Sequence, residues 1–165
     1  MATSTDIRGA TVIEPGRKAP QFKLRNQDDE TVALSDFAGR TVVLYFYPKA
    51  DTPGCTTQAC GIRDRQSEYD AAGVVVIGVS ADEPPKLKKF HDKFKLPFTL
   101  VGDPSHKMLE KYGVWVEKSM YGNKYMGVQR ATYIIDGKGK VAHVIPKATP
   151  KTHDDVVLKA LAQLA

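Results

Sequence analysis

The strongest constraint on the fold is the run Thr41–Tyr47, TVVLYFY, an unbroken series of β-branched, aliphatic and aromatic residues ended by Pro48. A strand without polar alternation has no solvent face, so it belongs inside a sheet covered on both sides. Val74–Val79, VVVIGV, has the same character. Between the two, the stretch from about Cys55 to Ala72 reads as helix, and Gly73 stands where a helix C-terminal glycine is expected. Strand, helix and strand make a βαβ unit with parallel strands and a right-handed crossover.

The remaining elements attach to that unit. Residues 1–15 are polar and irregular and read as a flexible extension, with Pro15, Gly16 and Pro20 marking the entry to a single domain of residues 16–165. Phe22–Leu24 and Thr31–Leu34 are short strands around the turn Asn26–Glu30. Pro84–Lys95 reads as a helix with Leu87, Phe90, His91 and Phe94 on its inner face. Phe98–Val101 is a short strand, and Ser105–Tyr112 a helix capped by Asp103 or Ser105. Gly113–Gly127 looks irregular, with Trp115 and Tyr121 expected to pack rather than to line a pocket. Ala131–Ile135 and Val141–Ile145 flank Asp136–Lys140 as a hairpin, and Thr152–Leu164 is an amphipathic helix. The fold class is α/β with a central mixed β-sheet flanked by helices, because the hairpin is antiparallel and the βαβ unit parallel.

The net charge of +5 invites a nucleic-acid reading, but 24 Lys+Arg are interleaved with 19 Asp+Glu and no recognition module accompanies them. No nucleic-acid partner is expected. Met1–Ile13 has no apolar core of a signal peptide, and no window approaches the roughly 20 apolar residues of a membrane span. The expected location is cytoplasmic, where thiols stay reduced. Two cysteines are too few for a small secreted scaffold stapled by disulfides, so Cys55 and Cys60 read as reactive, metal-binding or incidental.

Their surroundings narrow the choice. In Tyr45–Cys60, YFYPKADTPGCTTQAC, a central strand ends, a Pro/Gly loop follows, and Cys55 opens a helix. Open α/β sheets place ligands beyond the carboxyl ends of their strands. A helix N-terminus supplies unpaired N–H groups and a positive dipole end, which favour thiolate, the nucleophilic form of cysteine. Cys60 lies five positions further along the same helix. On a continuous helix the two Cα atoms stand about 8–9 Å apart, beyond the roughly 7 Å that a disulfide tolerates. A bond between them requires the first turns to unwind, so reduced and oxidised forms would differ in conformation.

Other cysteine chemistries lack their patterns. A thioredoxin-like site needs C-x-x-C. A phosphatase-like nucleophile needs arginine six positions on, where Gly61 and Gln66 stand. Zinc needs about four ligands, and His91, His106, His143 and His153 show no ligand spacing with the cysteines. No catalytic part is expected of these histidines. Two inert core cysteines remain open from the residues alone.

Pro48-x-x-x-Thr52-x-x-Cys55 matches the active-site motif of the peroxiredoxins, and Cys55-Thr-Thr-Gln-Ala-Cys60 resembles their subgroup called bacterioferritin comigratory protein or peroxiredoxin Q. The resemblance runs from about Gly16 to Leu164 and includes the segment Arg130-Ala-Thr-Tyr-Ile-Ile-Asp136. It implies a thioredoxin-like fold and a thiol peroxidase acting on hydrogen peroxide and organic hydroperoxides in antioxidant defence. Cys55 would be the peroxidatic nucleophile. Thr52 would hydrogen-bond the thiolate or the peroxide, and Pro48 would shield the pocket. Arg130 would stabilise the thiolate and the leaving oxygen, helped by the N–H groups of Gly54 and Cys55. Cys60 would resolve the Cys55 sulfenic acid as an intramolecular disulfide. The resemblance further implies no cofactor and no metal, thioredoxin or a glutaredoxin as reductant, and a monomer, with a weak dimer as the alternative.

Overall fold

Seven strands form the sheet that organises the chain, and the computed structural model describes residues 3–5 and 11–164. In chain order the elements are β1 (Thr3–Thr5), β2 (Thr11–Ile13), β3 (Lys23–Asn26), β4 (Thr31–Ala33), β5 (Thr41–Phe46), α1 (Pro53–Asp64), α2 (Gln66–Ala71), β6 (Val74–Ser80), α3 (Pro84–Lys93), β7 (Thr99–Gly102), α4 (Lys107–Lys111), β8 (Trp115–Met120), β9 (Asn123–Val128), β10 (Thr132–Ile135), β11 (Val141–Ile145) and α5 (His153–Leu164).

The sheet order is β11-β10-β5-β6-β7-β3-β4. β5, β6 and β7 run parallel, while β10 joins the other side of β5 antiparallel. The mixed sheet expected from the sequence is therefore present. Every residue from Val42 to Phe46 is at most 1% exposed. Val42, Leu44 and Phe46 enter one core with Ile77, Val79 and Leu109. Val43, Tyr45 and Tyr47 enter the other with Ile62, Leu87, Phe90 and Val157, from α1, α3 and α5. Each large apolar side chain buried in this way contributes roughly 1.5–3 kcal/mol, and the second core fixes α1 above the carboxyl end of β5.

The expected helix Cys55–Ala72 is two helices. α1 begins at Pro53, whose missing N–H suits a first turn. It ends at Arg65, where φ is −117° and ψ 21°. The cap of α4 is Asp103, whose Oδ2 accepts the N–H groups of Met108 at 2.8 Å and Leu109 at 3.1 Å.

Two expectations are corrected. The stretch 113–127 is not irregular: β8 and β9 form a hairpin whose last pair, Met120 and Asn123, closes on Tyr121-Gly122. Both turn residues have positive φ, 53° and 83°, the two-residue geometry that matches strand twist. A tyrosine at the first of these positions hides the turn signal in the sequence. Trp115 stacks on His106 with ring centroids 3.8 Å apart, and Tyr121 is 98% exposed.

Residues 1–15 do not all lie outside the domain. β1 pairs antiparallel with β2, Val12 and Ile13 are buried in the first core, and the Ile13 N–H donates to Tyr133 Oη at 3.0 Å. One apolar pair among polar neighbours is too short to register as a strand by pattern. The flexibility expected of residues 1, 2 and 6–10 concerns positions outside the described residues. Among the described residues no helix is long and apolar enough to cross a membrane.

Candidate active site

After β5 the chain turns through Tyr47–Thr52 to deliver α1. Tyr47 N–H donates to Val79 C=O at 3.0 Å, and Ala50 N–H to Asp82 Oδ2 at 2.7 Å, so the loop is tied to β6 and the residues that follow it. Thr52 is extended, and its carbonyl accepts the first helical bond, from Thr56 N–H at 2.8 Å. The N–H groups of Gly54 and Cys55 precede that bond and have no acceptor within the helix. Cys55 is the third residue of α1, 1% exposed, and a free thiol.

Arg130 arrives from far along the chain. It lies two residues before β10 begins at Thr132, which pairs with Tyr45 on β5. Its Nη1 lies 3.5 Å from Cys55 Sγ and donates to Gln58 Oε1 at 2.7 Å. Its Nη2 is 3.2 Å from the point a Cβ on Gly54 would occupy. The missing side chain of Gly54 is the room that the guanidinium fills. A thiolate at Cys55 would thus face a helix N-terminus and a cation together.

The other expected residues are placed as follows. The Thr52 hydroxyl donates to the Lys49 carbonyl at 2.8 Å, not to the sulfur. Pro48 is half-buried at the end of the strand run. Cys60 is a half-buried free thiol on the same unbroken helix as Cys55. The sheet and helix thus bring Cys55 and Arg130 together and keep Cys60 apart from Cys55.

Pattern reading missed four neighbours. Gln58 is 1% exposed, and its Nε2 has no partner. Its i+3 spacing from Cys55 was the available signal, since it sets both on one helix face. His153, 1% exposed, meets Thr132 Oγ1 through Nε2 at 2.7 Å, and its ring centroid lies 5.6 Å from that of Tyr45. Burial, with the neighbouring charge of Arg130, pushes the His153 pKa down to about 4. Burial pushes the Tyr45 hydroxyl well above the ordinary tyrosine range. Nothing local in the sequence marks Tyr45, Thr132 or His153 as neighbours of this site. A groove of about 360 Å³ between Phe22, Ala33 and Met108 borders the other core and includes none of these residues. Among the described residues no three His, Cys, Asp or Glu side chains gather closely enough to hold a metal ion.

The AhpC/TSA family model matches residues 15–144. The chain belongs to the AhpC/TSA family. Peroxiredoxin Bcp of Escherichia coli strain K12 is 48% identical over 153 residues, 93% of this chain and 98% of that protein. Peroxiredoxin Bcp of Bacillus subtilis strain 168 is 43% identical, with the same coverage of 93% and 98%. Among solved structures, peroxiredoxin Q of Xanthomonas campestris superposes with a TM-score of 0.81 at 34% identity, covering 86% of this chain and 90% of that one. The chain therefore shares its thioredoxin-like fold with that structure over most of its length.

Proposed function

We propose that this family member is a thiol peroxidase that reduces hydrogen peroxide and organic hydroperoxides and is recycled by thioredoxin. The observation that carries the reading is the guanidinium of Arg130 against the sulfur of Cys55 at the opening of α1. The Bcp peroxiredoxins at 48% and 43% identity support the reaction class.

The Cys55 thiolate attacks one oxygen of the hydroperoxide, the O–O bond breaks, and the departing oxygen takes a proton to leave as water or alcohol. Arg130 faces the charge that builds on that oxygen, and so do the free N–H groups of Gly54 and Cys55. The Thr52 hydroxyl, its proton committed to Lys49, offers its lone pairs to the peroxide O–H and orients the substrate for in-line attack. Pro48 walls the pocket from water. Sulfur supplies both electrons, so the reaction uses neither metal nor organic cofactor.

The Cys55 sulfenic acid then meets the Cys60 thiol: the S–S bond forms and the oxygen leaves as water. The two cysteines share α1, so this step requires the helix to unwind between them. A dithiol reductant, thioredoxin or a glutaredoxin, attacks the exposed disulfide and restores both thiols. A reducing compartment such as the cytoplasm suits this cycle and a role in antioxidant defence.

The deciding experiment is peroxide turnover with thioredoxin and its reductase as electron source. Wild type should consume many equivalents and Cys55→Ser none. Peroxide consumption that survives Cys55→Ser would sink the reading.

A further inference from the structure

A short strap of chain lies over the helix that carries both cysteines, and it is fastened at both ends beside Arg130. At one end the Ala148 N–H donates to the Arg130 carbonyl at 2.6 Å. At the other, His153 Nε2 meets Thr132 Oγ1 at 2.7 Å. Between the two, Pro150 Cγ lies 3.6 Å from the point a Cβ on Gly54 would occupy. Just past the second fastening, Asp154 Oδ1 lies 3.3 Å from the corresponding point on Gly61. Arg65, at the end of α1, pairs with Asp154 at 3.4 Å and with Asp155. The strap thus lies against α1 just before Cys55, and the first turn of α5 that follows it lies against α1 just after Cys60 and at its C-terminal cap.

By its own composition α1 is a weak helix. Its 12 residues include Gly54, Thr56, Thr57 and Gly61, each of which weakens a helix relative to alanine. A helix this short is held by packing rather than propensity. The two glycines bracket the cysteines and let the strap approach the helix backbone closely. His153 is an unexpected choice at a buried position that leucine could fill, because its Nδ1 stays without a partner, at a cost in stability. The bond to Thr132 is what the imidazole contributes in return.

We propose that His153 is a positioning residue: its bond to Thr132 holds the strap on α1, and the strap holds the helix wound with Cys55 beside Arg130 and apart from Cys60. The proposal rests on the peroxidase reading above. It makes the latch a divider between two fates of the Cys55 sulfenic acid. While α1 stays wound, a second hydroperoxide transfers one oxygen to the sulfur, giving sulfinic acid and an alcohol or water. Once α1 unwinds, the Cys60 sulfur attacks the Cys55 sulfur, the S–O bond breaks, and water leaves. A tight latch favours the first fate and a loose one the second.

Thr132→Val is nearly isosteric and removes the hydroxyl, His153→Leu removes the imidazole, and Thr132→Ser keeps the latch. Wild type is treated first with equimolar peroxide, and its non-reduced peptides are read by mass spectrometry. Absence of a Cys55–Cys60 disulfide there sinks the peroxidase cycle itself, before any variant is made. With that bond present, Thr132→Val and His153→Leu should each form it about fivefold faster in rapid-quench experiments, the size of effect one hydrogen bond carries. Under a large excess of peroxide their sulfinic fraction should fall by a similar factor, and Thr132→Ser should match wild type in both. A Thr132→Val protein with wild-type disulfide rate and sulfinic fraction overturns the proposal.

If these variants fold poorly, hydrogen exchange on wild type decides. The amides of Ala59 and Cys60 should exchange through the same opening as that of Ala148. Exchange in α1 while Ala148 stays protected overturns the proposal equally.

Discussion

Arg130 holds Nη1 3.5 Å from the sulfur of Cys55 although 75 residues separate the two in the chain. The pairing of β10 with β5 makes the meeting possible, because it lays the start of one strand beside the end of the other. Gln58 then sets the orientation by accepting from the same nitrogen.

Replacing Arg130 with methionine keeps much of the side-chain length and removes the cation. The first attack on peroxide should slow by about a hundredfold, the scale of losing one preorganised donor to developing charge. Competition against a reference peroxidase measures that rate directly. An unchanged rate removes Arg130 from the reaction.

Gln58→Met separates orientation from charge. The variant loses the acceptor that fixes Arg130 and also removes the buried, unpartnered Nε2. Attack should slow by about tenfold, the low end of what one hydrogen bond to a charged group contributes. Single-turnover kinetics measures that rate, and an unchanged rate would remove Gln58 from the positioning of Arg130.

Gly61→Ala should act opposite to opening the latch. Alanine favours the helical state of α1 by about 1 kcal/mol over glycine. The new methyl meets Asp154 Oδ1 at 3.3 Å, a side chain 14% exposed that can shift toward solvent. Disulfide formation after one equivalent of peroxide should slow by about fivefold. Rapid-quench trapping of free thiols gives the rate. Faster disulfide formation would show that the carboxylate cannot move and that the methyl pushes α1 off the strap.

Stability should fall as pH drops from 6.5 toward 4. In the unfolded chain His153 takes up a proton near 6.5, whereas burial and Arg130 keep the folded imidazole neutral until about 4. The unfolded state therefore binds more protons in that window, and unfolding free energy rises with pH across it. The contribution is fully present above 6.5 and lost below about 4, with a total of about 3 kcal/mol. Denaturant unfolding at several pH values should show this slope in wild type and a shallower one in His153→Gln. Equal slopes would exclude the histidine as the cause.

The sequence by itself determined the elements whose evidence is local. The unbroken apolar run of β5 and its echo in β6 dictate strands buried on both faces, and Gly73 closes the intervening helical segment. The placement of Cys55 at a helix opening, and the need for α1 to unwind before Cys60 can reach it, follow from helix geometry alone. The β8–β9 hairpin escaped because Tyr121 occupies a positive-φ position that asparagine or glycine normally announces. β2 escaped because two apolar residues carry no periodicity.

Only the tertiary structure decided how distant side chains gather around the sulfur. Arg130 becomes a neighbour of Cys55 and Gln58, and Thr132 and His153 of Tyr45, because β10 lies beside β5 and α5 packs on α1. Each of those contacts depends on sheet order and helix docking, which single-chain periodicity does not encode. The same holds for Thr52, whose residue type allows a bond to either sulfur or backbone, and whose loop geometry directs it to Lys49.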